Sequence, residues 1–256
     1  MVILIHVGCC GWAVKGGMQA YFDSFGLVEL QSTFYRLPRL KTAARWRRLA
    51  PDDFIFTLKA WQVITHPYTS PTWRRGNFEV DVSVRDRYGF LRPSEENFEA
   101  WRKTLEVCEV LGAAVCVFQT PPSFGFSGEH VRFVSDFFSH INGSHVILAW
   151  EPRGSWNRHL DVVRDLCLSL GLVHVVDLFK RDPVSEGDIC YFRLHGRGPG
   201  EVNNRYHYSA EDLSYLLNRI SELISVGFDT IYVLFNNLFM AEDALRFKSL
   251  LSGSSL

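Results

Sequence analysis

The chain predicts a closed, parallel (β/α)8 barrel, TIM-like, folded as one α/β domain over residues 1–256. Three observations carry that expectation. Eight short apolar runs recur along the chain, helix-like stretches follow most of them, and 47% of the residues are hydrophobic, enough for a large buried core. A doubly wound open sheet alternates in the same way, but eight runs favour closure.

The strand-like runs occupy 3–9, 27–31, 54–59, 114–119, 146–151, 172–177, 189–195 and 230–236. Helical spacing is clearest over 94–111, 129–140, 160–170, 210–226 and 241–251. Ser94 stands three residues before Asn97, and Ser209 three before Asp212, the spacing of capped helix starts. Two connections are long, 60–93 and 196–209, and both follow a strand, which puts them on the barrel face where sites are built. The first is rich in aromatic and basic residues (Trp61, Tyr68, Trp73, Arg74, Arg75, Arg85, Arg87, Tyr88) and is the candidate lid. No internal repeat is present, and Ser252-Gly253-Ser254-Ser255 reads as a fraying tail.

Composition narrows the function classes. The 27 basic and 28 acidic residues leave a net charge of −1, so attraction to a polyanion has to come from a local patch. No apolar run approaches the length of a membrane span, and no basic segment precedes the short apolar start. The six cysteines, Cys9, Cys10, Cys108, Cys116, Cys167 and Cys190, lack the paired spacing of a zinc site or a disulfide frame, which points to a reduced, cytoplasmic setting.

Strand parity locates the chemistry. In 27–31 Val28 and Leu30 share one face and Glu29 and Gln31 the other; in 191–195 Phe192 and Leu194 oppose Tyr191, Arg193 and His195. If the helix layer takes the apolar set, Glu29, Gln31, Arg193 and His195 point into the barrel. Lys59, Gln119, Glu151, Asp177 and Asn236 end five further strands. Any one of these could simply begin a solvated loop, and Glu29 with Arg193, or Glu151 with Lys59, could merely neutralise each other. Together they predict one polar pocket at the strand C-termini.

The ordered motifs resemble those of the domain of unknown function 72 (YecE-like) family. The resemblance runs through Gly8-Cys9-Cys10-Gly11-Trp12, then Val28 to Pro38 including Tyr35, then Phe54 to Lys59 with Ile64-Thr65-His66. It continues in Phe118 to Phe124, Glu151 to Trp156, Tyr191 to Gly196 and Phe235-Asn236-Asn237. It implies a TIM-like barrel with a polar pocket at its strand C-termini and implies no particular reaction. Two departures stand out: Gln31 replaces the usual Asn, and Glu151-Pro152-Arg153-Gly154-Ser155-Trp156 is one residue shorter than the family pattern and lacks its His.

These readings make Glu29, Glu151 and His195 the candidate catalytic groups. The candidate binding groups are Gln31, Tyr35, Lys59, His66, Gln119, Arg153, Trp156, Asp177, Arg193 and Asn236. The expected activity is hydrolysis of a small, phosphate-bearing substrate, with Glu29 or Glu151 as base, His195 as acid or ligand, and Arg193 and Lys59 stabilising charge. Glu29, Glu151, Asp177 and His195 leave a single Mg2+ or Mn2+ open, whereas the absence of His-x-His spacing argues against paired zinc ions. A glycosidase would draw its carboxyls from strands that end here in Gln119 and His195, and a Schiff-base enzyme would rest on Lys59 alone. The alternatives are a non-catalytic protein that binds a small anion, or a nucleic-acid partner for the loop at 60–93, whose tryptophans serve equally as core anchors. No membrane partner is expected.

Overall fold

The computed structural model describes residues 2–76, 79–143 and 145–253, so Ser254 and Ser255 of the expected fraying tail lie outside it. Eight parallel strands close a barrel in sequence order: β1 (Leu4–Cys9), β2 (Leu27–Leu30), β3 (Ile55–Lys59), β4 (Val115–Gln119), β5 (Ile147–Glu151), β6 (Val173–Val176), β7 (Ile189–Leu194) and β8 (Thr230–Phe235). The seam joins β1 to β8, with Cys9 opposite Phe235. Both faces of the strands are buried. Val28, Leu30, Phe56, Leu58, Phe118, Phe192 and Leu194 pack against the helices, while Leu27, Val115, Val117, Ala149, Val175, Tyr191 and Leu234 form a separate cluster inside the barrel.

The helices are α1 (Gly17–Ser24), α2 (Ser32–Tyr35), α3 (Leu40–Leu49), α4 (Gln62–Thr65), α5 (Glu95–Leu111), α6 (Gly128–Ile141), α7 (Leu160–Leu170), α8 (Ala210–Ser225) and α9 (Met240–Ser252). Both expected caps form. Ser94 Oγ accepts the Asn97 amide at 3.3 Å, and Ser209 and Asp212 exchange bonds of 3.1 and 2.9 Å in a capping box. Helices α1 and α3 complete the alternation in connections where the sequence shows weak apolar spacing, and α3 buries only Ala43 while carrying Arg45, Arg47 and Arg48. Strict alternation fails at one connection. Between β6 and β7, residues 177–188 form no helix.

The long connection at 60–93 is more ordered than its sequence suggests. It holds α4 and 3-10 turns at Pro71–Arg75 and Arg85–Arg87. Its far end folds back on α4 through backbone bonds from Gly89 to Val63 (2.7 Å), Phe90 to Thr65 (3.1 Å) and Leu91 to Ile64 (2.9 Å). Gly89, Phe90 and Leu91 are all left-handed, with φ of 78°, 56° and 51°. Glycine is required at 89, where a Cβ would stand 2.5 Å from the His66 carbonyl oxygen. The strain at Phe90 and Leu91 persists because these bonds fix the turn. Buried Trp73 anchors the middle of the loop, its indole donating to the His66 carbonyl at 3.0 Å.

All six cysteines are buried and unbridged. Among the described residues no helix is long and apolar enough to cross a membrane.

Candidate active site at the barrel mouth

A column of polar side chains rises through the barrel axis. Near its base Tyr232 packs against His6 and Tyr191, with ring centroids 5.2 and 5.6 Å apart. The Tyr191 hydroxyl lies 2.7 Å from Thr57 Oγ1 and donates to Glu29 Oε2 at 2.8 Å. Glu29, fully buried, also accepts the Gln31 amide and both of its oxygens face Arg193 Nε, at 3.1 and 3.0 Å. Arg193 then donates through Nη1 to Glu151 Oε2. One guanidinium thus bridges two buried carboxylates, a geometry that its rigid fork of donors permits.

Above this bridge Arg153 donates to Glu151 Oε1 through Nε (2.7 Å), with Nη2 in ion-pair contact with the same oxygen at 2.5 Å. Its Nη2 also lies 3.3 Å from His195 Nε2. A guanidinium has no acceptor, so Nε2 accepts and the His195 proton is assigned to Nδ1. Asp177 Oδ2 stands behind that nitrogen at 3.9 Å and is held in place by the His195 amide at 2.8 Å. Lys59 Nζ donates to Gln119 Oε1 at 2.7 Å and sits 3.7 Å from the centroid of the Phe34 ring. It has no carboxylate within ion-pair distance among the described residues.

Burial and neighbouring charge set the protonation states. Burial pulls the Lys59 ammonium down to about 7, helped by Arg193 and Arg153. Burial also lowers His195 to about 3 and His66 to about 3, so both are neutral at pH 7. Asp177 is raised by burial to about 6, against the pull of the His195 and Phe179 amides. Burial would raise the Glu151 carboxyl too, but Arg153, Arg193, His195 and Lys59 outweigh it and hold Glu151 well below the usual range.

The mouth therefore gathers Glu29, Gln31, Lys59, Gln119, Glu151, Arg153, Asp177, Arg193 and His195. His66 belongs with them: its Nδ1 is 2.9 Å from Thr65 Oγ1, its ring meets Phe34 edge-on at 4.8 Å, and it feels the charges of Lys59, Arg153 and Glu151. Three candidates stand apart. Trp156 is wholly buried against Trp150 and donates its indole N–H to the Phe124 carbonyl at 2.7 Å, a core contact away from the mouth. Tyr35 faces the long connection, accepting from Arg75 Nη1 at 3.3 Å. Asn236 is half-buried at the rim after β8, its amide donating to the Leu194 carbonyl at 2.9 Å.

The expected polar pocket is nearly filled by its own side chains. A cavity of about 10 Å3 remains, bordered by Glu151, Arg153, Asp177, Arg181, His195 and Glu201, room for about one water. Two of the bordering residues come from loops: Glu201, in the second long connection, pairs at 2.5 Å with Arg181, between β6 and β7. Neither residue was predictable from strand periodicity, because both lie in irregular loops. Tyr191 and Thr57 share the inward parity of Arg193 and Lys59, a signal that could have found them. Among the described residues no three His, Cys, Asp or Glu side chains are grouped to hold a metal ion. Glu29 and Glu151, expected as candidate ligands or bases, instead turn their oxygens to arginines.

Fold and site together define a single-domain TIM-like barrel whose C-terminal mouth is lined by a buried, ion-paired polar cluster. The chain belongs to the family described as protein of unknown function DUF72, whose model matches residues 6–254. It is 25% identical to UPF0759 protein YunF of Bacillus subtilis (strain 168), over 91% of this chain and 89% of that protein. A DUF72 family protein of Enterococcus faecalis V583 superposes with a TM-score of 0.75 at 19% identity, covering 98% of this chain and 99% of the other. One from Thermotoga maritima MSB8 gives 0.68 at 25% identity, with 97% and 99% covered.

Proposed function

We propose that the barrel mouth is the active site of an enzyme that hydrolyses a small, phosphate-bearing substrate. The observation that carries this reading is Lys59, a buried cation that Glu151 and Glu29 influence only from beyond ion-pair distance among the described residues, placed beside the partly exposed Arg153. A buried charge without a counter-ion is costly, and an incoming anion supplies one. Arg193, which the sequence offered with Lys59 as a charge stabiliser, is spent on Glu29 and Glu151, so the anion falls to Lys59 and Arg153.

The remaining groups fit hydrolysis with roles different from those read in the sequence. Neutral His195 is a base at Nε2, with Asp177 behind Nδ1 to stabilise the imidazolium that forms. As a phosphate draws Arg153 toward itself, Nε2 is freed and its basicity rises. Water attacks phosphorus, His195 takes the proton that water loses, and the phosphorus–oxygen bond to the leaving group breaks. Lys59, poised near neutrality, protonates the departing oxygen. Glu29 and Glu151 hold Arg193 and shape the mouth.

The test is release of inorganic phosphate from a panel of phosphate mono- and diesters. The parent should turn over at least one, and His195→Ala should lose roughly a hundredfold or more in kcat. A second reading, binding of a small anion without turnover, is favoured by the nearly filled mouth. It is supported if no panel member is hydrolysed while inorganic phosphate raises the melting temperature.

A further inference from the structure

The long connection after β3 encloses a cleft of about 780 Å3, against about 10 Å3 at the mouth. That volume is in the range of sites for drug-sized ligands. Tyr68, Trp73 and Tyr88 line it in an edge-to-face row, centroids 5.2 and 5.8 Å apart, together with Arg74, Arg85 and Arg92. Trp73 is buried and Arg92 is tied to the Tyr88 and Gly89 carbonyls at 3.0 and 3.3 Å, which makes these two the frame. Tyr68, Arg74 and Arg85 are exposed, and neither of the two arginines forms an ion pair among the described residues. Arg85 lies over the Tyr68 ring at 5.3 Å. Asp86 is the one carboxylate in the lining, outnumbered by the three arginines.

We propose that this cleft binds a nucleotide unit, the base stacked on Tyr68 and the phosphate held by Arg74 and Arg85. Ring and cation suit different halves of one ligand. An exposed phenol offers a flat face to any nucleobase, and unpaired guanidiniums match phosphate oxygens two at a time. The guanidinium over Tyr68 already shows that this face accepts a planar, electron-poor partner. A base entering there releases Arg85 toward the phosphate. The site shares no residue with the barrel mouth, so it stands or falls apart from the hydrolytic reading.

The shared chemistry has two sources, a free nucleotide or one unit of a single strand. Calorimetric titration of the full chain with AMP, adenosine, inorganic phosphate and a short single-stranded oligo-dA distinguishes them. AMP should bind more tightly than either adenosine or phosphate alone. Tyr68→Ala should weaken AMP roughly tenfold. Arg74→Ala/Arg85→Ala should weaken it comparably, while Arg48→Ala, an exposed cation on α3, leaves it unchanged. Oligo-dA affinity equal to that of AMP assigns the free nucleotide; markedly tighter oligo-dA binding, with a salt slope flattened by about 0.7 for each phosphate that the arginine variant no longer neutralises, assigns the strand. Absence of AMP and oligo-dA binding at millimolar concentration overturns the proposal, as does binding that the Tyr68 and arginine variants leave intact.

Discussion

Arg193 and Lys59 show how two inward cations of similar sequence signature diverge in the folded protein. Arg193 meets Glu29 and Glu151, whose charges outweigh the burial that would otherwise lower it and hold its pKa well above the usual value. Removing it leaves buried Glu29 without its cation and Glu151 with Arg153 alone, a change that costs several kcal/mol of folding rather than binding alone. Lys59 is the opposite case. Its folded pKa near 7 lies below the ordinary lysine value of 10.5, so between these values the unfolded chain holds a proton that the folded chain lacks. Stability from this group therefore rises with pH across that window and is lowest below it. Lys59→Met should raise stability at pH 6 by roughly 1–3 kcal/mol and remove that rise. Urea unfolding at several pH values checks both, and a destabilised variant with an unchanged pH profile would contradict the assignment.

At the scale of elements, the second long connection borders the site and is fastened to α8. Arg197 pairs with Asp212 at 2.5 Å, Tyr206 Oη donates to Asp212 at 2.6 Å, and the Gly196 amide donates to Tyr208 Oη at 2.8 Å. Asp212 is at once the third helical residue of the capping box and the anchor of the loop. Ser209→Ala should then cost about 1 kcal/mol, as cap losses do, whereas Asp212→Ala should cost more and loosen residues 196–208 in hydrogen exchange. Equal effects of the two changes would separate the cap from the loop. The capped helices were legible because Ser94 and Ser209 stand at fixed distances from apolar periodicity. α1 and α3 were not, since Gly16-Gly17 and an arginine-rich face blur the pattern that burial imposes elsewhere. The loop at 60–93 was legible as long, but its order comes from Trp73, Gly89 and backbone bonds to α4 that no local pattern announces.

Over the whole molecule, the barrel and the inward parity of its polar residues followed from alternation along eight strands, because each strand is buried on both faces and only one face leads to the axis. Parity correctly gathered Glu29, Lys59, Glu151, Arg193 and His195. It offered two neutralising pairs without deciding between them, since that depends on register between strands distant in sequence: Glu29 meets Arg193 from β2 and β7, while Glu151 pairs with Arg193 and Arg153 instead of Lys59. Trp156 illustrates the reverse limit, a motif residue whose position only packing decides. On the proposed function, the mouth is an anion site completed by protonated Lys59. Calorimetric titration with sulfate, whose charge is constant over the range, tests it most directly between about pH 6 and 9. Affinity should be level below pH 7, fall above it with proton uptake on binding, and be lost in Lys59→Met. Absence of sulfate binding, or affinity that ignores both pH and that substitution, would rule out Lys59 as the anion's partner.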